Sequence, residues 1–173
     1  MIQYLLEQRA GGHNDMKSVY LYRDSAMAVN IDFLRKIYPG KKMILWAHNS
    51  HLCHNHQNTD EKNNFKTMGY WLWRKHKKDL YIFGQYMYAG QGSYSKNKYY
   101  DISDPDPAGL ESILHGTGYE SFYLDLSKTD GANWDRQKIP TNYWGTTKVH
   151  LIPKDQYDGL LFFETVHPAD YLE

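Results

Sequence analysis

A compact apolar run, Met43-Ile44-Leu45-Trp46-Ala47, leads directly into a polar turn that carries two histidines, His48 and His51. The run is too short for a helix and suits a buried strand. Ligands of parallel α/β sheets bind beyond the carboxyl ends of the strands. We therefore expect His48 and His51 to lie at an open sheet edge, where an active site forms most readily.

This turn has residues suited to proton transfer. Histidine titrates near neutral pH, so His48 or His51 could take a proton from water and later return it. Asn49 could hold a ring in its working orientation or donate a hydrogen bond to a developing oxyanion. Two structural histidines in a turn give the same pattern, and the sequence alone leaves both interpretations open.

A metal site is the competing interpretation, because His48, His51, His54 and His56 lie close together around Cys53, the only cysteine. Imidazole binds zinc, copper and nickel. The spacing, however, fits neither a zinc finger nor a helical His-Glu-x-x-His motif. We therefore predict no bound metal and no cofactor. The His54-Asn55-His56 stretch is expected to be a solvated loop, and Cys53, without a placed base, an ordinary cysteine.

Composition narrows the possible partners. Twenty basic and twenty acidic residues give zero formal charge, which offers no electrostatic reason to expect a nucleic acid or an acidic membrane. No apolar run approaches the roughly 20 residues of a membrane helix. The first residues lack a signal-peptide pattern, which favours the cytoplasm but leaves the compartment open. Aromatic residues make up 16% of the chain and can build a core or line a groove for an apolar or sugar-bearing ligand.

The remaining pattern predicts alternating helices and strands. One helix should carry Met27, Ile31, Leu34 and Tyr38 and stop at Pro39-Gly40; a second should carry Phe65, Met68, Leu72 and His76. A third should start at Asp106-Pro107. Strands are expected over 80–88, 121–126, 148–152 and 160–166, with a surface loop over 91–105 and an irregular stretch over 133–148. This order suits βαβ crossovers, so the expected fold class is α/β, with a mainly parallel sheet flanked by helices in one domain.

Four segments, taken in order, carry a resemblance to a known family. They are Arg-Asp-Ser-Ala-Met-Ala-Val-Asn at 23–30, the strand and His-Asn-Ser-His turn at 42–51, Met-Gly-Tyr-Trp-Leu at 68–72, and Tyr-Asp-Gly-Leu-Leu-Phe-Phe-Glu at 157–164. Together they resemble the erythromycin-esterase-like family, some of whose members carry a succinoglycan-biosynthesis label. The correspondence extends over residues 19–170.

The resemblance implies a metal-independent hydrolase that opens a small-molecule ester or a macrolide lactone, a chemistry linked to antibiotic resistance. His48 and His51 inherit the role of activating water. Arg23 could lie near a substrate carbonyl or a carboxylate of the cleft, or form an ion pair or cap with Asp24 on the helix surface. Glu164 could be a further site carboxylate, and Tyr94 could line the cleft.

The chain also departs from the family pattern. Val29 replaces the usual acidic residue of the first segment, and family members are much longer, with a front half that supplies another histidine and an acidic partner. We therefore expect an incomplete domain, the C-terminal portion of a larger one, that alone hydrolyses little and could self-associate through an exposed sheet face. The alternatives are a non-catalytic binding domain for an apolar or glycosylated ligand and a metal- or haem-binding protein.

Overall fold

The computed structural model describes residues 16–54, 66–129 and 133–170. The chain divides into two compact units, Met1–Ile82 and Phe83–Glu173. In the described part of the chain, no helix has the length and apolar character needed to cross a membrane.

The first unit is helical in its described part. Helix α1 spans Met16–Ile37, α2 is the short helix Asn49–Leu52, and α3 spans Met68–His76 before a 3-10 turn at Lys77–Asp79. A small core joins them, with buried Ala28, Met68 and Leu72 at its centre and the partly buried Met27, Ile31, Leu45, Ala47, Leu52 and Leu80 packed around it.

The first predicted helix is confirmed, and it ends before Pro39 as expected. Its apolar stripe is confirmed only in part. Met27 and Ile31 pack on the core, whereas Leu34 and Tyr38 are 38% and 55% exposed. Gly40 follows in the left-handed region with φ of +73°, a conformation that glycine adopts without a steric penalty. It ends the turn that leads away from the helix.

Polar pairs fasten α1 to the end of α3. The Asp32 carboxylate accepts hydrogen bonds from Lys75 Nζ at 2.6 Å and from His76 Nε2 at 2.6 Å. Burial alone raises the pKa of Asp32, but the bonds and charges of Lys75 and His76 outweigh it and leave the pKa lowered. A more exposed pair joins Arg35 to Asp79 at 3.3 Å. The polar contact explains why His76 does not continue the apolar stripe of α3.

The prediction of a strand over residues 43–47 is wrong, because the structure has no strand there. Residues 41–48 pair with no strand in the described ranges. Leu45 and Ala47 pack on the core, while Ile44 and Trp46 are 94% and 82% exposed. A strand needs a hydrogen-bonded neighbour as well as a suitable sequence, and the described ranges provide none here.

The second unit contains a four-stranded sheet in the order β2-β1-β6-β3. Its strands are β1 at Phe83–Ser95, β2 at Lys98–Asp101, β3 at Ser121–Asp125 and β6 at Gly159–Val166. Only β1 and β6 run parallel; the β1–β2 and β3–β6 pairs are antiparallel. The expectation of a mainly parallel sheet is therefore wrong, while the mixed α/β character is confirmed.

The other elements of this unit are helix α4 at Leu110–His115, an antiparallel hairpin of β4 (Ile139–Tyr143) and β5 (Thr147–Leu151), and the short helix α5 at Pro153–Gln156. The strands predicted near 121–126, 148–152 and 160–166 are confirmed to within a residue at each end. The predicted loop over 91–105 is instead partly the β1–β2 hairpin, which turns at Asn97 with φ of 63°. The prediction of irregular structure over 133–148 is also partly wrong, because β4 and the start of β5 lie within it.

Helix α4 begins at Leu110 rather than at Asp106-Pro107. Asp106 Oδ1 accepts a hydrogen bond from the backbone N–H of Ala108 in a local turn, so the expected cap closes a turn before the helix. Glu111, in the first turn of α4, is buried and accepts hydrogen bonds from Thr141 Oγ1 at 2.6 Å and from the Asn142 N–H at 2.9 Å. Burial raises the pKa of Glu111 against the opposing effect of these two bonds. This carboxyl ties α4 to the β4–β5 hairpin.

Candidate active site

Asp24 and His51 form a buried pair between α1 and α2. His51 Nδ1 lies 2.9 Å and 3.0 Å from the two carboxylate oxygens of Asp24, and the Asp24 side chain is fully buried. Because a carboxylate accepts, His51 donates through Nδ1, and its lone pair is therefore on Nε2. Asp24 thus fixes both the orientation and the tautomer of the ring, as the acid of a catalytic triad does.

Arg23 lies on the other side of the same ring. Its Nη2 atom is 2.8 Å from His51 Nε2. A guanidinium has donors only, so His51 accepts this bond with its Nε2 lone pair. The ring is therefore neutral and is held between an acceptor and a donor. Asp24 is fully buried and binds His51, so it does not take part in a helix-surface ion pair.

The N-terminus of α3 supports Asp24 from a third direction. The Met68 N–H donates to Asp24 Oδ2 at 2.9 Å, where the helix dipole favours a negative charge. Thr67 caps the helix: its hydroxyl oxygen accepts from the Tyr70 N–H and donates to the Cys53 carbonyl at 2.7 Å. Thr67 was not among the residues predicted for the site, although a threonine directly before an apolar helical stripe is a recognisable cap signal.

His48 has the opposite arrangement of its ring nitrogens. It precedes α2 as the N-cap, and its Nδ1 atom accepts from the Ser50 N–H at 3.1 Å. The ring proton is therefore on Nε2. Burial, with a smaller effect from His51, lowers the pKa of His48 from 6.5 to about 4. At neutral pH, His48 is an uncharged hydrogen-bond donor through Nε2, whereas His51 is an acceptor through the same atom.

The other predicted member of the turn, Asn49, is the first residue of α2 and is buried. Its backbone carbonyl accepts from the Cys53 N–H at 3.1 Å and closes the short helix. The backbone of Asn49 therefore helps to hold the turn, and a role of its side chain in orienting a ring or an oxyanion remains a prediction.

Cys53 and His54 are the described members of the histidine cluster that follows the turn. Cys53 is fully buried, and burial raises the pKa of its thiol to about 12, so it stays protonated at neutral pH. His54 is also buried and stacks on Trp73 at 5.1 Å, so the expectation that it is solvated is wrong. His56 lies outside the described residues. Among the described residues, no group of three or more His, Cys, Asp or Glu side chains could hold a metal ion.

The two remaining candidates, Glu164 and Tyr94, belong to the second unit. Glu164 accepts a hydrogen bond from His115 Nδ1 at 2.9 Å, and the His115 ring stacks on Tyr88 at 3.9 Å. Tyr94 is an exposed residue of β1 and packs against Tyr100 at 4.4 Å. Their parts in substrate binding remain predictions.

The second unit also has an open cleft of about 500 Å³, lined in part by Phe122, Leu124 and Trp134. This volume lies within the range of small-molecule pockets. Two hydroxyls of the lining are engaged with the backbone: Ser112 donates to the Asp106 carbonyl and Thr117 to the Leu114 carbonyl. The cleft is therefore largely apolar, and the binding of an apolar or sugar-bearing ligand by aromatic side chains remains a prediction.

Comparison with known proteins gives a consistent family. The family model described as erythromycin esterase matches residues 2–166. A Bacillus subtilis protein named "Putative hydrolase YbfO" is 32% identical over 162 residues, covering 87% of this chain and 36% of the relative.

Solved structures agree in fold. A succinoglycan biosynthesis protein is 21% identical with a TM-score of 0.76 and covers 89% of this chain and 40% of its own. A Bacillus cereus protein is 22% identical with a TM-score of 0.76, over 91% of this chain and 41% of its own. A mutant of the erythromycin esterase EreC in its open conformation is 16% identical with a TM-score of 0.64. The match covers 94% of this chain and 42% of the EreC chain. The chain thus spans well under half the length of these relatives.

Proposed function

Because the chain belongs to the erythromycin esterase family, we propose that it provides the proton-transfer groups of a hydrolase that opens carboxylic esters or macrolide lactones with water. The observation that carries the proposal is the buried Asp24–His51 pair. A histidine whose Nδ1 proton is held by a buried carboxylate has an Nε2 lone pair aimed for proton abstraction.

In this mechanism His51 is the general base. Its Nε2 atom takes a proton from a water molecule while the water oxygen attacks the carbonyl carbon of the ester. The tetrahedral intermediate then collapses, the bond to the alkoxide breaks, and His51 returns the proton to the leaving oxygen. The products are the carboxylic acid and the alcohol, which for a lactone remain in one molecule. Asp24 stabilises the imidazolium that forms during the transfer.

His48 is the electrophilic partner in this proposal. With its proton on Nε2 and its pKa lowered to about 4, it can donate a hydrogen bond to the carbonyl oxygen as negative charge develops there. A neutral histidine is suited to this task, because it can donate a hydrogen bond from its Nε2–H group to the oxyanion while it keeps the proton. The two histidines of the turn therefore have different tasks.

The Arg23 guanidinium has to leave Nε2 before His51 can accept a proton, since it donates to that atom. A substrate carbonyl or carboxylate offers Arg23 a better acceptor, because bonds from a guanidinium to oxygen anions are strong and often bidentate. Substrate binding then frees the base. The names of the hydrolase and esterase relatives support the reaction class.

Hydrolysis of p-nitrophenyl acetate tests this function. We expect slow release of p-nitrophenol by the purified chain, faster than by free imidazole at equal concentration. His51→Asn and Asp24→Asn should each lower the rate by about tenfold or more, while His167→Asn, which removes an exposed ring in the second unit, should leave it unchanged. A rate that is the same in the unmodified chain and in His51→Asn would overturn the proposal. Circular dichroism checks that each variant is folded.

A further inference from the structure

Arg23 occupies the place of the water that the candidate base would activate. Its Nη2 atom lies 2.8 Å from His51 Nε2, and a water molecule that gives its proton to Nε2 must lie within the same hydrogen-bonding distance. The guanidinium and the water cannot both bind this nitrogen. The substrates that the site can use are therefore those that draw Arg23 away.

Asp24 makes that displacement selective. Its carboxylate is fully buried and binds the opposite nitrogen of the same ring, with 2.9 Å between His51 Nδ1 and Asp24 Oδ1. The Arg23 guanidinium is thus attracted by the ring nitrogen and also by the negative charge behind the ring, in a partly buried place where salt screens charges weakly. Moving it away separates opposite charges. A group that has a negative charge of its own compensates for this loss.

A neutral carbonyl is a weak competitor for Arg23. A hydrogen bond from the guanidinium to an uncharged ester or lactone oxygen only replaces the bond to His51 Nε2 and adds no charge. A carboxylate accepts two parallel bonds from a guanidinium, in a bidentate ion pair that is stronger and fixed in direction. A carboxylate therefore frees the base, whereas an uncharged carbonyl leaves it largely blocked.

The other groups of the turn accommodate a negative charge. Burial lowers the pKa of His48 to about 4, so at neutral pH this ring is an uncharged donor through Nε2. Asp24 is turned away from this side of the ring, because it faces His51 Nδ1 and the Met68 N–H. The imidazolium that forms when His51 takes the proton is also stabilised by a nearby anion.

We propose that this site acts on anionic esters, the half-esters of short dicarboxylic acids such as malonate and succinate, whose free carboxylate binds Arg23 and releases His51. The inference rests on the proposed function and narrows it to carboxylic esters rather than macrolide lactones. The diacid is short because Arg23 and His51 are in contact, so the carboxylate and the reacting carbonyl lie only a few bonds apart. Water adds to that carbonyl, the acyl–oxygen bond breaks, and His51 passes the proton to the leaving alkoxide. The products are the alcohol and the dicarboxylic acid.

A matched pair of esters tests the proposal. In ethyl butyrate a methyl group takes the place of the free carboxylate of monoethyl succinate. We expect the purified chain to hydrolyse monoethyl succinate with a kcat/KM about tenfold higher or more, measured as released ethanol and corrected for the uncatalysed reaction. Arg23→Met should abolish this preference, since the half-ester loses its partner while ethyl butyrate meets an unblocked base. Arg35→Met, at a surface arginine of the same helix, is the matched control and should retain the preference.

Binding of succinate gives a second measurement that needs no turnover. Succinate should shift the nitrogen resonance of His51 Nε2, because the bond from Arg23 is lost, whereas succinamide, its uncharged diamide, should not. Arg23→Met should weaken the binding of succinate by about tenfold or more. Arg23→Lys, which keeps the charge but not the bidentate fork, should weaken it less. Circular dichroism checks that each variant is folded.

Each other outcome counts against the proposal. Equal turnover of the two esters, or a preference that Arg23→Met retains, would overturn it, as would an equal shift of the His51 resonance by succinamide. If neither ester is hydrolysed, the succinate measurement decides alone. These failures leave the proposed function standing as long as His51→Asn lowers the hydrolysis of p-nitrophenyl acetate. Hydrolysis that does not need His51 would instead remove the proposed function, and this inference with it.

Discussion

The Arg23 guanidinium donates to Nε2 of His51 at 2.8 Å, the ring nitrogen that a general base uses. The free chain therefore holds its candidate base in a blocked form. Asp24 leaves no alternative arrangement of the ring, because it occupies Nδ1. The chemistry of the turn thus depends on whether this one hydrogen bond is present.

Removing the Arg23 side chain should expose the base. In Arg23→Met we expect diethyl pyrocarbonate, which reacts with an unprotonated ring nitrogen, to modify His51 about tenfold faster than in the unmodified chain, since the lost bond is a charge-assisted one of roughly 1.5–3 kcal/mol. Mass spectrometry of peptic peptides measures the rate. Arg35→Met removes a surface arginine of the same helix and should not change it. Equal rates in the two variants would show that Arg23 does not protect the ring.

Asp24→Asn should both destabilise the fold and disorder the base. The carboxylate is fully buried and accepts from His51 and from the Met68 N–H, and a hydrogen bond to a charged group contributes about 1.5–3 kcal/mol. Urea unfolding measures the loss. Asp32→Asn, on the same helix, removes a partly exposed carboxylate that binds Lys75 and His76 and should cost about 1 kcal/mol or less. A loss at Asp24 no larger than that at Asp32 would contradict the assigned role.

The stability of the fold should fall in mild acid because of His48. Its pKa is lowered to about 4 in the folded chain from 6.5, so the unfolded chain takes up the proton first as the pH falls. This group therefore leaves stability unchanged above pH 6.5 and removes it progressively between pH 6.5 and 4.

His48→Asn isolates this effect, because asparagine is a good N-cap but does not titrate. The difference in urea midpoint between the unmodified chain and the variant should be constant above pH 6.5 and should move in favour of the variant from pH 6.5 to 4. A difference that stays constant down to pH 4 would refute the assignment.

Gly69→Ala should disrupt the support of Asp24. A Cβ at Gly69 would lie 1.7 Å from the backbone oxygen of Leu52, so α3 would have to move away from α2, and the Met68 N–H would move with it. We expect a loss of at least about 1–3 kcal/mol in unfolding free energy, typical of overpacking. Gly116→Ala is the control, since its Cβ would meet only ordinary contacts at 3.4 Å. Similar stability of both variants by thermal unfolding would contradict this packing.

The candidate site shows how far a sequence can be interpreted. Arg23, Asp24 and His51 could each be chosen from their residue types and from the family resemblance. Their pairing could not, because 27 residues separate Asp24 from His51, and the contact exists only once α1 packs beside the turn. The different states of His48 and His51 were equally hidden, since they depend on which ring nitrogen the Ser50 N–H and the Asp24 carboxylate occupy.

The sheet shows the same limit. Local apolar patterns located β3, β5 and β6 well, because each carries its own signal. Whether two strands run parallel or antiparallel depends on how they pair. The sequence of one segment therefore could not show that β1 and β6 each have an antiparallel neighbour. Residues 43–47 have a strand-like sequence but no neighbouring strand in the described ranges, so the prediction of a strand there was wrong.

The depth of Asp24 has a consequence for how the first unit responds to its surroundings. Added electrolyte screens charges that face water and hardly reaches those that are enclosed. The pairs that fasten α1 to the end of α3, Lys75–Asp32 and Arg35–Asp79, have one or both partners in solvent, whereas the carboxylate beside His51 has no exposed surface. In concentrated salt the far end of α1 should therefore loosen first, while the histidine keeps its orientation.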